Sequence, residues 1–264
     1  MTKLAPYSHE LKIARSIVQE AGHSLVKMRQ KANLEIHVKG LFDLVTEADL
    51  ASDDVIRGRL AEAFPDDALL SEEGDGFDPF VGRCWIADPL DGTANYVHQQ
   101  SHVAVSLALF SEGEAIVGVV HAPFCDETFW AVRGQGAFYN GTPFRIKSPV
   151  NPERALIGTG FPHDRQRVAE LIDRLGTVLS VFGDIRRLAA PALDVCWVAD
   201  GRLDGFVDRL MIWDIAAAGL IAEEAGATVR RLSNATRYPE PSDGFDYVVA
   251  AEPLLTQLAE IYAK

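Results

Sequence analysis

The chain has 264 residues, 48% hydrophobic and 24% charged, enough for one large globular domain or two joined halves, and a balance that excludes disorder, collagen and low complexity. Its formal charge of −13 repels phosphate backbones and argues against direct nucleic-acid binding, although part of that excess can be gathered in a site that cations neutralise. No apolar run approaches the ~20 residues of a membrane span, and the opening MTKLAPYSHELKIARS lacks the apolar core of a signal peptide, so a cytoplasmic location without a membrane partner is expected.

Residues 8–29 read as a helix, because Leu11, Ala14, Ile17, Val18, Ala21 and Leu25 recur at three- and four-residue spacing behind Ser8 as N-cap. A second helix is expected over 46–64, ended by Pro65. Short apolar runs predict strands at 68–71 and 84–88, then a meander over 103–110, 115–121 and 128–133. Asn140 and Gly141 signal a turn, followed by an edge strand over 143–146. The aperiodic KSPVNP marks a joint between a first half, 1–147, and a second, 148–264. Beyond it, strands at 155–158, 179–182, 203–207 and 247–251 alternate with helices at 165–175, 191–199, 214–225 and 254–262. Helices and sheets are thus mixed throughout, an α+β pattern, with antiparallel pairs in the first half and no internal repeat. Cys84, Cys125 and Cys196 lack CxxC spacing and read as small buried hydrophobes.

Acidic residues fall where strands end or helices begin: Glu72 and Glu73 in LLSEEGD, Asp88 and Asp91 in IADPLDGT, Asp214 in IWDIAAAG, and Asp43 and Asp49 in DLVTEAD. A strand ending at Asp88 carries that carboxylate to the sheet edge, and Pro89 ends sheet pairing there. Leu90 is apolar, so what it offers a site is its backbone carbonyl. Asp91 points back toward Asp88, Gly92 permits a tight turn, and the Thr93 hydroxyl can cap the next helical turn. Two carboxylates and a carbonyl suit a hard cation such as Mg²⁺, and a free helix N-terminus suits phosphate. Each place also has a plain structural explanation. Asp88 and Asp214 serve as N-caps, Asp91 as a turn residue, the glutamates as solvated loop groups, and Thr46 with Asp49 as a capping box. Their joint occurrence at separate chain reversals favours a shared site. His98 and His102 lie four apart but read as cover for the loop after DPLDGT.

LLSEEGD, WIADPLDGTANYVH and WDIAAAGLIAEEAGA, in this order, with DLVTEAD before and TGFPHDR after the middle motif, resemble the inositol monophosphatase family of Mg²⁺-dependent, lithium-sensitive phosphatases. The resemblance covers 12–263. It implies a layered αβαβα sandwich, a homodimer, and two or three Mg²⁺ ions held by Glu72, Asp88, the Leu90 carbonyl, Asp91 and Asp214. It further implies Thr93, Asp49 and Glu72 as the catalytic group, with Asp49 orienting Thr93 to activate the attacking water. The Gly92 and Thr93 amides would hold the phosphate, and Lys39 matches a lysine near the outer metal. Substrate contacts are implied for Asp208, Arg186 and Asp214. Phe124, Phe129 and Trp130 in the meander would either face a partner copy or sit in the core.

The match thins around the substrate. Inositol-directed members carry a glutamate seven residues before the aspartate of WD, where this chain has Val207, with Asp208 one residue nearer. Members often begin the second-half helix with a glycine and a hydroxyl residue, where this chain has Ala189 and Ala190; a lost hydroxyl removes about 1 kcal/mol of paired hydrogen bond. The expected reaction is hydrolysis of inositol monophosphate or a similar small polyol phosphate. Histidinol phosphate, fructose 1,6-bisphosphate and nucleotide 3′-phosphates are alternatives within the family. Some bacterial members also bind transcription machinery, which leaves a regulatory protein as a reading of another class.

Overall fold

The computed structural model describes residues 6–30, 36–40, 43–74, 81–147, 151–161, 168–232 and 244–262, with only the backbone for 36–40 and 43–45. In chain order the elements are α1 (Ser8–Arg29), β1 (Ile36–Gly40), β2 (Asp43–Thr46), α2 (Glu47–Ala63), β3 (Ala68–Ser71), β4 (Arg83–Asp91), α3 (Thr93–Val97), β5 (Ala104–Ser111), β6 (Glu114–Ala122), β7 (Glu127–Val132), β8 (Ala137–Tyr139) and β9 (Thr142–Phe144). There follow β10 (Leu156–Thr159), α4 (Val168–Val181), β11 (Asp184–Arg186), α5 (Pro191–Asp200), β12 (Gly205–Leu210), α6 (Ile212–Ala225), β13 (Thr228–Arg231), β14 (Phe245–Ala250) and α7 (Leu254–Tyr262).

The strands β3 to β9 form one seven-stranded sheet in sequence order, and a five-stranded sheet runs β11-β10-β12-β14-β13. Side chains alternate across each strand, so the two faces of β4 belong to different cores. Trp85 and Ala87 pack under α1 and α2 with Ile17, Leu25 and Ile56. Cys84 and Ile86 face the other way, into a core shared with Leu193, Ile215, Ala217 and Leu220 of α5 and α6. That middle core also takes Phe206 and Val249 from the second sheet, whose far face packs Val207 and Val248 against Leu255 and Leu258 of α7 and Val178 of α4. The layers are therefore helix, sheet, helix, sheet, helix, an α+β sandwich as expected. Central strands buried on both faces explain why their sequences read as unbroken apolar runs.

One contact sets the depth of the middle layer. A Cβ on Gly118 of β6 would lie 2.7 Å from the Ala217 carbonyl oxygen of α6. The run AAAG thus lets the helix lie directly on the sheet, and Ser106 Oγ of β5 donates to the Trp213 carbonyl at 3.4 Å beside Asp214.

Several local expectations change. Ser8 is the first helical residue, and the cap position is Tyr7 at φ 60°. The apolar run 179–182 is the last turn of α4 and its exit rather than a strand; four apolar or small residues cannot by themselves distinguish a strand from a buried helix end. Pro89 does not end pairing: β4 continues to Asp91 through an irregular register between Asp88 and Asp91, the kind of position where a strand tolerates proline. Cys84 and Cys196 are buried, but Cys125 is exposed in the turn after β6. Phe129 and Trp130 belong to the cores, which removes them as a partner-facing surface. Among the described residues, no helix is long and apolar enough to cross a membrane.

Candidate metal and phosphate site

The carboxylates of Asp88, Asp91 and Asp214 offer oxygens that all lie within 4.8 Å of one another, an arrangement that could hold a metal ion. Their supports come from three elements. The Asp88 carboxylate accepts the Leu90 amide at 3.0 Å, so the β4 irregularity is also its mount. Asp91 accepts the Leu193 amide at 3.1 Å from the first turn of α5. Asp214 accepts the Met211 amide at 2.7 Å. It therefore sits in the first turn of α6 and not at its cap, because the helix begins at Ile212. Glu72, carried just past β3, hydrogen-bonds the Ala87 carbonyl through its amide at 3.1 Å and lines the same cavity.

Asp88 and Asp91 are each 2% exposed. Burial, then the neighbouring charges of Glu72, Asp91 and Asp214, holds Asp88 well above the usual carboxylate range. Asp91 is raised for the same first reason and then by Asp214, against the pull of the Leu193 amide. Burial pushes Asp214 up to about 7. Among the described residues, no lysine or arginine pairs with any of the three. Gathered buried anions without a counter-charge are costly and must either take up protons or share a cation. The donor set is oxygen only, which fits a hard divalent ion.

Beside this cluster, Gly92 turns the chain at φ 91°, and α3 opens at Thr93 with amides that no preceding helical turn can satisfy. The Thr93 hydroxyl does not cap α3. It lies 3.0 Å from Asp49 Oδ1 and 3.2 Å from the Leu90 carbonyl, with one proton to share between them. The other Asp49 oxygen accepts the Thr46 amide at 2.8 Å and the Thr46 hydroxyl at 2.6 Å, which is the expected capping box of α2. Asp49 is buried, and its carboxyl is raised by burial against these hydrogen bonds. A single residue thus closes the start of α2 and reaches Thr93.

The cavity measures about 640 Å³ and runs from Glu72, Asp88 and Asp91 to Thr159, Asp208 and Tyr262. Val207 and Asp208 both line the cavity, Val207 with its side chain in the outer core. The Asp208 carboxylate lies where a side chain on Gly160 would be, 1.6 Å from an ideal Cβ, so only glycine leaves room there. Burial pushes Asp208 up to about 8. Arg186 does not line the cavity. It is exposed on β11 and pairs with Asp184 at 2.6 Å, while its neighbour Arg187 lines the cavity. His102 Nε2 lies 2.6 Å from Asp194 of α5, so it braces that helix. The side chains of Lys39 and Asp43 lie outside the described residues.

Three further side chains support the site. Ser52 Oγ donates to the Pro89 carbonyl at 2.7 Å; Ser71 Oγ donates to Asp53 at 2.6 Å; Asn95 joins three segments beside Gly92. The signal for the first two was present in the sequence: Asp49, Ser52 and Asp53 occupy core-facing positions of α2 with Ala48, Ile56 and Leu60, where polar residues need buried partners.

The chain matches the model of the inositol monophosphatase family over residues 7–263. It is 39% identical over 220 residues to an inositol-1-monophosphatase of Rhizobium meliloti, covering 82% of this chain and 83% of the relative. It is 33% identical over 253 residues to a Nus factor SuhB of Pasteurella multocida, covering 94% and 92%. The solved structure of extragenic suppressor protein suhB from Bartonella henselae superposes with a TM-score of 0.90 at 33% identity, covering 97% of this chain and 99% of that one. These likenesses support a metal-dependent phosphatase and leave the substrate open. The chain belongs to the inositol monophosphatase family.

Proposed function

We propose that this protein hydrolyses the phosphate monoester of inositol or a similar small polyol, using Mg²⁺. The observation that carries this reading is the convergence of Asp88, Asp91 and Asp214 beside the Thr93–Asp49 hydrogen bond. Glu72, Asp88, the Leu90 carbonyl, Asp91 and Asp214 are the candidate ligands for two or three ions. Bound there, the metal supplies charge neutralisation for the phosphate, a water of lowered pKa and stabilisation of the leaving oxygen.

The chain's own residues do the rest by position and electrostatics, which is most of what phosphoryl transfer requires. The Thr93 hydroxyl holds the attacking water, and Asp49 holds the hydroxyl by accepting its proton in a hydrogen bond. The Gly92 and Thr93 amides, at the start of α3, would bind the phosphate oxygens. Asp208, whose carboxyl is raised by burial, hydrogen-bonds a substrate hydroxyl. Arg187 takes the contact that the family likeness suggested for Arg186. Residues 1–147 and 148–264 act as one catalytic unit, with α6 of the second half delivering Asp214 to the aspartates of the first. Family membership also supports lithium sensitivity and a homodimer.

Phosphate release from inositol 1-phosphate, with and without Mg²⁺, tests the reaction. A panel including histidinol phosphate, fructose 1,6-bisphosphate and 3′-AMP tests the substrate. Release that depends on Mg²⁺ and favours inositol 1-phosphate is expected; equal turnover without metal contradicts the reading. The Nus factor name of one relative favours a second role, a regulatory interaction alongside catalysis. Its acidic surface suits a basic protein partner, and affinity capture of transcription factors tests it.

A further inference from the structure

The start of α5 is held in an unusual way. Its cap residue, Ala190, has no side-chain acceptor to offer the first turn. The acceptor comes from another element, Asp91 Oδ2, which receives the Leu193 amide at 3.1 Å. Just before the cap, Ala189 stands at φ 65°, a left-handed conformation that an alanine leaves readily because its Cβ is crowded there. Something must therefore hold the lead-in to α5 in place.

Asn95, in α3 and 5% exposed, meets that need. Its side-chain nitrogen donates to the Leu188 carbonyl at 2.7 Å and to the His102 carbonyl at 2.8 Å, using both of its protons. The Leu188 bond fixes the residue directly before Ala189. The His102 bond fixes a residue whose ring reaches Asp194, one turn into the same helix. The clamped lead-in lies directly on Gly92: a Cβ there would come within 3.2 Å of the Ala189 carbonyl oxygen.

We infer that Asn95 is a positioning residue that keeps Asp91 oriented for metal binding, acting through the left-handed Ala189 and the first turn of α5. Without the clamp, Ala189 relaxes to negative φ, the Leu193 amide turns away, and Asp91 loses the hydrogen bond that fixes its carboxylate. The inference rests on the ligand role proposed above for Asp91.

The test measures Mg²⁺ binding by calorimetry on the full chain, together with the Mg²⁺ dependence of turnover. Asn95→Ala should weaken Mg²⁺ binding about tenfold, as loss of an outer partner of a metal ligand does, with KM for inositol 1-phosphate at saturating Mg²⁺ changed less than threefold. Adding Ala189→Gly, which removes the penalty for left-handed φ, should recover at least half of the loss on a logarithmic scale. A residue that served only folding would lower the melting temperature and leave Mg²⁺ affinity unchanged. If Asn95→Ala does not fold, Asn95→Ser, which keeps one donor, should show an intermediate loss with the same rescue. Mg²⁺ affinity unchanged in the folded variant, or no rescue by Ala189→Gly, overturns the inference. Wild-type protein that binds no Mg²⁺ overturns instead the metal reading on which it rests.

Discussion

The two walls of the cavity are built on different principles. The wall of Asp88 and Asp91 stands on β4, a strand buried on both faces, and each carboxylate is fixed by a backbone amide. The opposite wall carries Asp208 on β12, and Arg187 and Ala189 on the lead-in to α5. Asp208 depends on the absence of a side chain at Gly160, and Ala189 on a left-handed alanine. A rigid wall suits metal ions, whose geometry is the same for every substrate. A wall that rests partly on a connecting segment suits a leaving group that differs between relatives.

Pushing the rigid wall apart should have the largest effect. Gly118→Val would press α6 off the sheet and displace Asp214 from the β4 aspartates. We expect turnover to fall about a hundredfold with a loss of roughly 1–3 kcal/mol from overpacking, read by steady-state kinetics and chemical denaturation. Unchanged turnover would show that α6 does not set the aspartate spacing.

Protons compete with metal for the same wall. Burial raises the folded Asp214 carboxyl from its ordinary 3.8 to about 7, so between those values the folded chain holds a proton that the unfolded chain does not. Its contribution to the stability of the metal-free protein is therefore fully present below about pH 4 and is lost as the pH rises toward 7. Mg²⁺ must displace that proton and any held by Asp88 and Asp91, whose carboxyls are also raised, so its affinity should rise by about tenfold per pH unit or more below 7. Melting curves at pH 5 to 8, with and without Mg²⁺, should show the metal's stabilisation growing with pH.

The looser wall should respond in KM. Asp208→Ala is expected to raise KM for inositol 1-phosphate about five- to tenfold with little change in kcat. Asp208→Asn, which keeps a donor, should stay within about threefold at pH 7. The smallest effect is at Ala189. Replacing it alone with glycine should stabilise the fold by about 1 kcal/mol, a rise of roughly 2–4 °C in melting temperature for a chain of this size.

The same division governed what the sequence disclosed. The long apolar runs and the DPLDGT corner gave away the layers and the acidic cluster, because a mount buried on both faces leaves a dense local signature. The β4 irregularity around Pro89 was hidden, since register depends on the partner strand β5 and not on local composition. The turn 179–182 was hidden because short apolar runs fit either a strand or a helix end. Asn95 was hidden because its partners are backbone carbonyls 93 and 7 residues away in sequence. Arg186 and Arg187 are adjacent and chemically alike, so only the course of the chain after β11 decides which lines the cavity.

Metal binding for phosphate hydrolysis is the role proposed for Asp88, Asp91 and Asp214. Its most direct test is phosphate release from inositol 1-phosphate at saturating Mg²⁺ by Asp91→Asn beside the wild type, with a melting curve to confirm folding. The amide still fills the space and can still accept from Leu193, but it brings no charge. The expected result is a folded variant slowed about a thousandfold. Turnover within a few-fold of wild type would contradict the metal assignment.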